Sequence, residues 1–294
     1  HDLAMTVLMA EHRLERVIQY ADSVIWLPGT PEPLARPDVG ALVARADRLT
    51  VRYDGLVALN AVDLTVHSGE IVAVMGRNGS GKSTLFNALT GLVRPARGTA
   101  RLAGDADPRQ LRPQQLVRHV GLVPQQPGDL LCAETVAAEC TTADRESAVD
   151  AGTTAALLGQ IAGDLDASRH PRDLSEGQRL ALALAVVLAG APPLVLLDEP
   201  TRGLDYAAKA RLVDALRRLA AEGHAIMLAT HDVELAAELS QRTVVLAAGE
   251  VVADGPSREV VTHSPVFAPQ VAKVLAPLPY LTVSDVRRTQ AVAP

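Results

Sequence analysis

Three groups of residues in this 294-residue chain have types and spacings suited to work on phosphate anions. The first is Gly76-Arg77-Asn78-Gly79-Ser80-Gly81-Lys82-Ser83-Thr84, which fits G-x-x-x-x-G-K-[ST]. Glycines at 76, 79 and 81 let the backbone approach phosphate oxygens that a Cβ would hold off. The amides of such a loop, and the N-terminus of a helix after it, face the anion. Lys82 reaches the β- and γ-phosphates, and the Ser83 hydroxyl suits Mg²⁺. The second group is Asp198-Glu199, two carboxylates directly after the apolar Leu194-Val195-Leu196-Leu197. There Asp198 suits Mg²⁺, held through water, and Glu199 suits polarisation of an attacking water. The third is Leu174-Ser175-Glu176-Gly177-Gln178. Ser175 and Gln178 fit S-x-x-Q, a capping box. A helix N-terminus carrying Ser175 and the Gly177 amide is also an anion site.

These groups need particular elements to hold them. The run Glu70 to Met75 is short, apolar and β-branched, as a buried strand requires, and Leu85 to Leu89 reads as a helix ended by Gly91. The first group therefore lies in a strand–loop–helix setting. Leu194 to Leu197 reads as a second buried strand, and parallel strands deliver functional groups at their C-terminal ends. Strands are further expected at Leu49 to Tyr53, Ala61 to Val66, Thr99 to Leu102, Val120 to Val123 and Ala225 to Ala229. A closing hairpin is expected around Ala248-Gly249. Helices are expected at Arg179 to Ala189, Ala207 to Ala221 and Val233 to Leu239. Glu134 to Ala167 reads as mostly helical, and the chain after Pro256 as a proline-punctuated helical tail.

Composition narrows the classes. Hydrophobic residues make up 48% of the chain and charged ones 21%, which excludes global disorder and allows a large core. A net charge of −6 and only seven aromatic residues argue against a nucleic-acid partner, which needs a basic face and stacking rings. Cys132 and Cys140 have no metal-ligand spacing and read as free thiols of a reducing compartment. The longest apolar run, Leu180 to Leu197, is broken by Gly190 and Pro192-Pro193, so it reads as helix, turn and strand, not as a membrane span.

One internal repeat is visible. Thr6-Val7-Leu8-Met9-Ala10-Glu11-His12 parallels Ala225-Ile226-Met227-Leu228-Ala229-Thr230-His231, and both run on into a helical pattern. Residues 1–28 are accordingly expected to be the end of a preceding copy of the same domain, with 29–46 a proline-rich linker.

The phosphate loop, Leu-Ser-Glu-Gly-Gln and Asp-Glu, in this order and spacing, resemble the nucleotide-binding domain of an ATP-binding-cassette (ABC) protein. The resemblance covers about residues 47–256, with 257–294 a helical C-terminal extension. It implies an α/β, P-loop NTPase fold of the ABC type. Such a fold has a mainly parallel core sheet, an antiparallel β subdomain and an α-helical signature subdomain. It also implies ATP and Mg²⁺ as ligands. Carried over, Tyr53 matches the adenine-stacking aromatic and Gln125 the loop glutamine that contacts Mg²⁺ and a membrane partner. Gln126 beside it leaves the choice between the two open. Ser175, Gly177 and Gln178 match the signature that clamps ATP held by an opposite domain, although Glu176 stands where family members usually have Gly. Asp205 matches the acidic residue that communicates across the dimer; a simple helix cap is the other reading. His231 matches the switch histidine at the γ-phosphate, and His12 would be its equivalent in the preceding copy.

Gly121-Leu122-Val123-Pro124-Gln125-Gln126-Pro127-Gly128-Asp129, the Leu-Ser-Glu-Gly-Gln variant and the helical extension further resemble the ATPase of energy-coupling-factor importers. The form with two fused ATPase domains is the closer likeness. The resemblance implies an ATPase powering import of a vitamin or transition-metal ion from the cytoplasmic face of the membrane. Its partners would be a second ABC ATPase domain, upstream or in another subunit, and integral membrane subunits; nucleic acid is not among them. An exporter ATPase and a soluble cassette ATPase acting on ribosomes or DNA are the alternatives.

Overall fold

The computed structural model describes residues 40–262, 269–275, 280–283, 285 and 286. The expectations for residues 1–28, His12 included, lie outside them. In chain order the elements are β1 (Leu42–Tyr53), β2 (Leu56–His67), β3 (Ile71–Met75), α1 (Lys82–Leu89), β4 (Arg97–Leu102), α2 (Pro113–Leu116) and β5 (Val120–Val123). Then come α3 (Val136–Ser147), α4 (Thr153–Ala162), α5 (Glu176–Leu188), β6 (Leu194–Asp198), α6 (Tyr206–Ala221), β7 (Ala225–Thr230) and α7 (Val233–Leu239). Last are β8 (Arg242–Ala247), β9 (Glu250–Pro256), α8 (Ser257–Thr262) and α9 (Gln270–Leu275).

Two sheets form among the described residues. A three-stranded antiparallel sheet has the order β2-β1-β4, and a six-stranded sheet the order β5-β6-β7-β3-β8-β9. The larger sheet is parallel from β5 to β8, and β9 turns back antiparallel on β8. Every residue of β3, β6 and β7 is buried. Their unbroken apolar sequences follow from that, since strands covered on both faces have no side to leave polar. On one face α1 and the antiparallel sheet close the core through Leu49, Leu59, Leu85 and Phe86. On the other, α5, α6 and α7 pack through Leu184, Leu216 and Leu235.

Several boundaries differ from the sequence expectation. β1 begins at Leu42, inside the stretch read as linker, because Ala44 and Ala46 pair with Val66 and Leu64 of β2 and are buried. β2 begins at Leu56, five residues early. The hairpin turns on Asp54-Gly55, whose φ values of 45° and 85° suit the left-handed turns that match strand twist. The helical region at 134–167 is two helices, α3 and α4. Chain reversal comes at Ala148 and Gly152, both left-handed. Asp144 fastens the break by accepting from Gly152 N (2.7 Å), Thr154 N (2.8 Å) and the Thr154 hydroxyl. Burial alone would raise the Asp144 carboxyl, but those hydrogen bonds outweigh it and hold it below the usual carboxylate range.

The described part of the tail is anchored. Ser257 Oγ lies 2.9 Å from Ser240 Oγ and 2.8 Å from Thr243 Oγ1. Arg258 pairs with Asp285 at 2.9 Å, and Tyr280 is fully buried.

Candidate active site

The parallel register aligns the strand ends that carry chemistry. Met75 lies beside Thr230, and Asp198 beside Ala229. The residues that follow β3, β6 and β7 therefore emerge side by side at one sheet edge, with Gln125 just beyond the end of neighbouring β5.

After β3 the chain makes a loop that needs glycine at several positions. Gly76, Gly79 and Gly81 have φ of 151°, 80° and 107°. A Cβ on Gly76 would sit 2.3 Å from Leu246 O and 2.5 Å from Ser80 Oγ. One on Gly81 would sit 2.7 Å from both Ala58 O and Leu59 Cδ2. Gly81 then opens α1, whose first residue, Lys82, is buried. The Lys82 ammonium donates to Gly76 O at 2.8 Å and Arg77 O at 3.4 Å, so the charge is held inside the loop. Ser80 Oγ is buried with no hydrogen-bond partner, a group that an anion's oxygen would satisfy. Asn78 and Ser83 are exposed and Thr84 half-buried. This cradle fits a polyphosphate.

Glu199 faces that loop. It is 8% exposed, and its Oε1 lies 4.0 Å from Lys82 Nζ. Its backbone takes φ 50°, uncommon for a residue with a side chain, and its N–H donates to Ala229 O at 2.8 Å. Its Oε2 accepts from His231 Nδ1 at 2.6 Å and from His231 N at 3.4 Å. The two residues given separate roles by sequence are thus in direct contact. With Nδ1–H donated to a carboxylate, the imidazole presents Nε2 outward, and the side chain is 71% exposed. That nitrogen donates to an anion only when the ring carries both protons. Asp198, buried beside Glu199, and the exposed Ser83 hydroxyl are oxygen donors of the kind Mg²⁺ takes.

The remaining candidates lie on other elements. Ser175 caps α5, its Oγ accepting from Gln178 N at 3.3 Å while Gln178 Oε1 accepts from Ser175 N at 3.1 Å. The capping box is therefore present. Gly177 packs so closely on α6 that a Cβ would lie 2.8 Å from Ala208 Cβ. Glu176, the departure from the usual glycine, is ion-paired with Arg179 at 2.6 Å. Asp205 caps α6 by accepting from Ala208 N at 2.7 Å, so the helix-cap reading describes its contact here. Tyr53, at the end of β1, is 42% exposed, and its ring is left open to a ligand. Gln125 and Gln126 are both exposed, and Gln126 precedes the short 3₁₀ turn Pro127–Leu130.

Sequence reasoning missed the support behind His231. Asp232 caps α7 by accepting from Leu235 N at 2.9 Å, and its other oxygen takes Lys209 Nζ and Thr201 Oγ1. The cap was legible as Asp before an apolar helix; the lysine, a turn into α6, carried no signal.

The strand order, glycine loop and paired carboxylates define a P-loop NTPase of the ABC type. Residues 59–202 match the family model described as ABC transporter. A Geobacter sulfurreducens protein named "Putative ABC transporter ATP-binding protein" is 35% identical over 73% of this chain and 86% of its own length. A Streptomyces avermitilis protein of the same name is 50% identical over 99% of this chain, which spans 66% of that protein's length. Among solved structures, cbiO1 from Clostridium perfringens, described as part of the ABC transporter complex cbiONQ, is 26% identical. It superposes with a TM-score of 0.70 over 85% of this chain and 98% of its own. The ATP-binding cassette MJ0796, solved as a dimer bound to ADP and Pi, is 27% identical with a TM-score of 0.65, over 73% and 98% of the two chains. The chain belongs to the ATP-binding proteins of ABC transporters and carries their ATPase domain.

Proposed function

We propose that this chain hydrolyses ATP to drive a membrane importer of the energy-coupling-factor type, moving a vitamin or a transition-metal ion. The observation that carries the hydrolytic reading is the convergence of Lys82, Glu199 and His231 beside the glycine loop. The importer reading is supported by the likeness to cbiO1. It is supported also by the Gly121-to-Asp129 segment and the anchored C-terminal extension.

In this reading Tyr53 stacks on adenine. Gly76, Asn78, Gly79, Ser80, Gly81 and Thr84 wrap the phosphates, and the Lys82 ammonium neutralises them. Ser83, Asp198 and Gln125 would hold Mg²⁺, which when bound supplies neutralisation of charge on the phosphate oxygens. Glu199 orients and deprotonates the attacking water. His231, steadied by its bond to Glu199, presents Nε2 to the γ-phosphate. Ser175, Gly177 and Gln178 face ATP held by a second ABC domain, and Asp205 lies at that interface. The solved dimer of MJ0796 supports such pairing. The chain would act at the cytoplasmic face, peripheral to integral membrane subunits. Among its described residues no helix is long and apolar enough to cross a membrane.

The test is reconstitution of the chain with its co-purifying membrane subunits in proteoliposomes. MgATP-dependent uptake of a vitamin or transition-metal ion, abolished by Lys82→Ala, is expected. Efflux, or no MgATP-dependent uptake of either class of cargo, would contradict the importer reading.

A further inference from the structure

The carboxylate of Asp232 joins three elements directly behind the hydrolytic pair. Its Oδ1 accepts from Leu235 N at 2.9 Å and starts α7. Its Oδ2 accepts from Lys209 Nζ, in the first turn of α6, and from Thr201 Oγ1 at 3.4 Å, in the turn that Glu199 opens. That turn is itself closed by Arg202 N donating to Glu199 O at 3.2 Å. On the other side of His231, the buried Thr230 hydroxyl accepts from Asp232 N at 2.9 Å. His231 is thus the one residue between two pinned neighbours, and the pin on its C-terminal side is tied to α6 by a lysine.

The tie is not needed for the fold of α7. Without Lys209 the Oδ1 cap remains, and both side chains sit at the edge of the core, 30% and 22% exposed. A single, partly exposed ion pair of this kind contributes modestly to stability. What it fixes is the distance between α6 and the His231–Glu199 contact, and a small misplacement of reacting groups is expensive in rate. The N-terminus of α6 is also where Asp205 stands, four residues before Lys209. A shift of α6 is therefore passed to His231 through one ion pair.

We infer that Lys209 and Asp232 are positioning residues for ATP hydrolysis: their ion pair ties α6 to the α7 cap and so sets His231 against Glu199. The inference rests on the hydrolytic reading above. Lys209→Met should lower kcat roughly tenfold, within the 10²-fold that a misplacement of about 1 Å produces. KM for MgATP and nucleotide affinity should stay near wild type, and the thermal midpoint should fall only modestly. Lys209→Arg should recover most of kcat. Asp232→Asn, which keeps the Oδ1 cap, should match Lys209→Met, and the double variant should be no slower than either single, since both remove one tie.

The assays are steady-state ATPase, nucleotide titration and thermal melting on the full chain, with Glu199→Gln alongside. Wild-type kcat in Lys209→Met and Asp232→Asn, with Glu199→Gln inactive, would overturn the inference and leave the hydrolytic reading intact. An arginine that rescues nothing, or a double variant with additive losses, would also overturn it. If Lys209→Met fails to fold, Asp232→Asn decides alone. Normal turnover by Glu199→Gln would remove the hydrolytic reading and the inference together.

Discussion

Glu199 lies 4.0 Å from the Lys82 ammonium and hydrogen-bonds to His231, and each of the three fails differently when removed. Lys82→Ala deletes the buried ammonium, and charge-assisted hydrogen bonds contribute about 1.5–3 kcal/mol each, so ATP affinity in a titration should fall at least about tenfold. His231→Ala removes the proposed contact to the γ-phosphate, and hydrolysis should drop by roughly 10²–10³ with nucleotide still bound, measured as phosphate release. Asp232 gives a pH signature. Burial raises its carboxyl, but the Lys209 hydrogen bond, the Leu235 amide, the Lys209 charge and Thr201 together outweigh it and leave it below the usual range. A carboxyl depressed on folding stabilises above its unfolded value, about 3.9, and that stability is lost as pH falls through the folded value. Asp232→Asn should therefore flatten the acid limb of the stability profile below about pH 4, in urea melts across pH. At this scale Lys82 and Glu199 were legible because their motifs are local. The His231–Glu199 bond was not, because it joins the ends of two strands 32 residues apart. Lys209 was not legible either, since a lysine on an amphipathic helix ordinarily faces water.

At the scale of elements, the glycine loop is the part whose geometry allows least change. Gly81→Ala would place a Cβ at φ 107° and 2.7 Å from a backbone carbonyl of β2. The strain exceeds about 1 kcal/mol and must be relieved by moving the loop, so nucleotide affinity should fall while the sheet stays intact by far-ultraviolet circular dichroism. Gly79→Ala shares the positive φ but meets no atom within 4 Å and should be milder. Buried strands were legible as unbroken apolar runs, and both the strand Val120–Val123 and the helix Val233–Leu239 have the limits expected from sequence. The early start of β1 was hidden because Ala44 and Ala46 carry no strand preference of their own. Their burial comes from pairing with β2. The split between α3 and α4 depends on one carboxylate, Asp144, whose partners lie in the next helix.

At the scale of the molecule, the six-stranded sheet does one thing that no element does alone. Its strand order sets β6 beside β7 and β7 beside β3, so Glu199, its histidine partner and the glycine loop share one edge. Order among parallel strands depends on crossovers and is not written in any local stretch, which is why sequence gave the motifs but not their arrangement. The match of residues 59–202 to the ABC transporter family covers the glycine loop and both carboxylates independently of these contacts. In the proposed cycle the edge closes against a second ABC domain and opens after hydrolysis, and the exposed Gln125 at the end of β5 lies where a membrane subunit would sense it. Everything in that cycle depends on Glu199 acting on water and not on nucleotide binding. The decisive measurement is paired: MgATP affinity and single-turnover ATP hydrolysis for wild type and Glu199→Gln in the full chain. The account predicts affinity close to wild type and hydrolysis slower by roughly 10²–10⁴, the range for a lost general base. Hydrolysis at the wild-type rate in Glu199→Gln would contradict it.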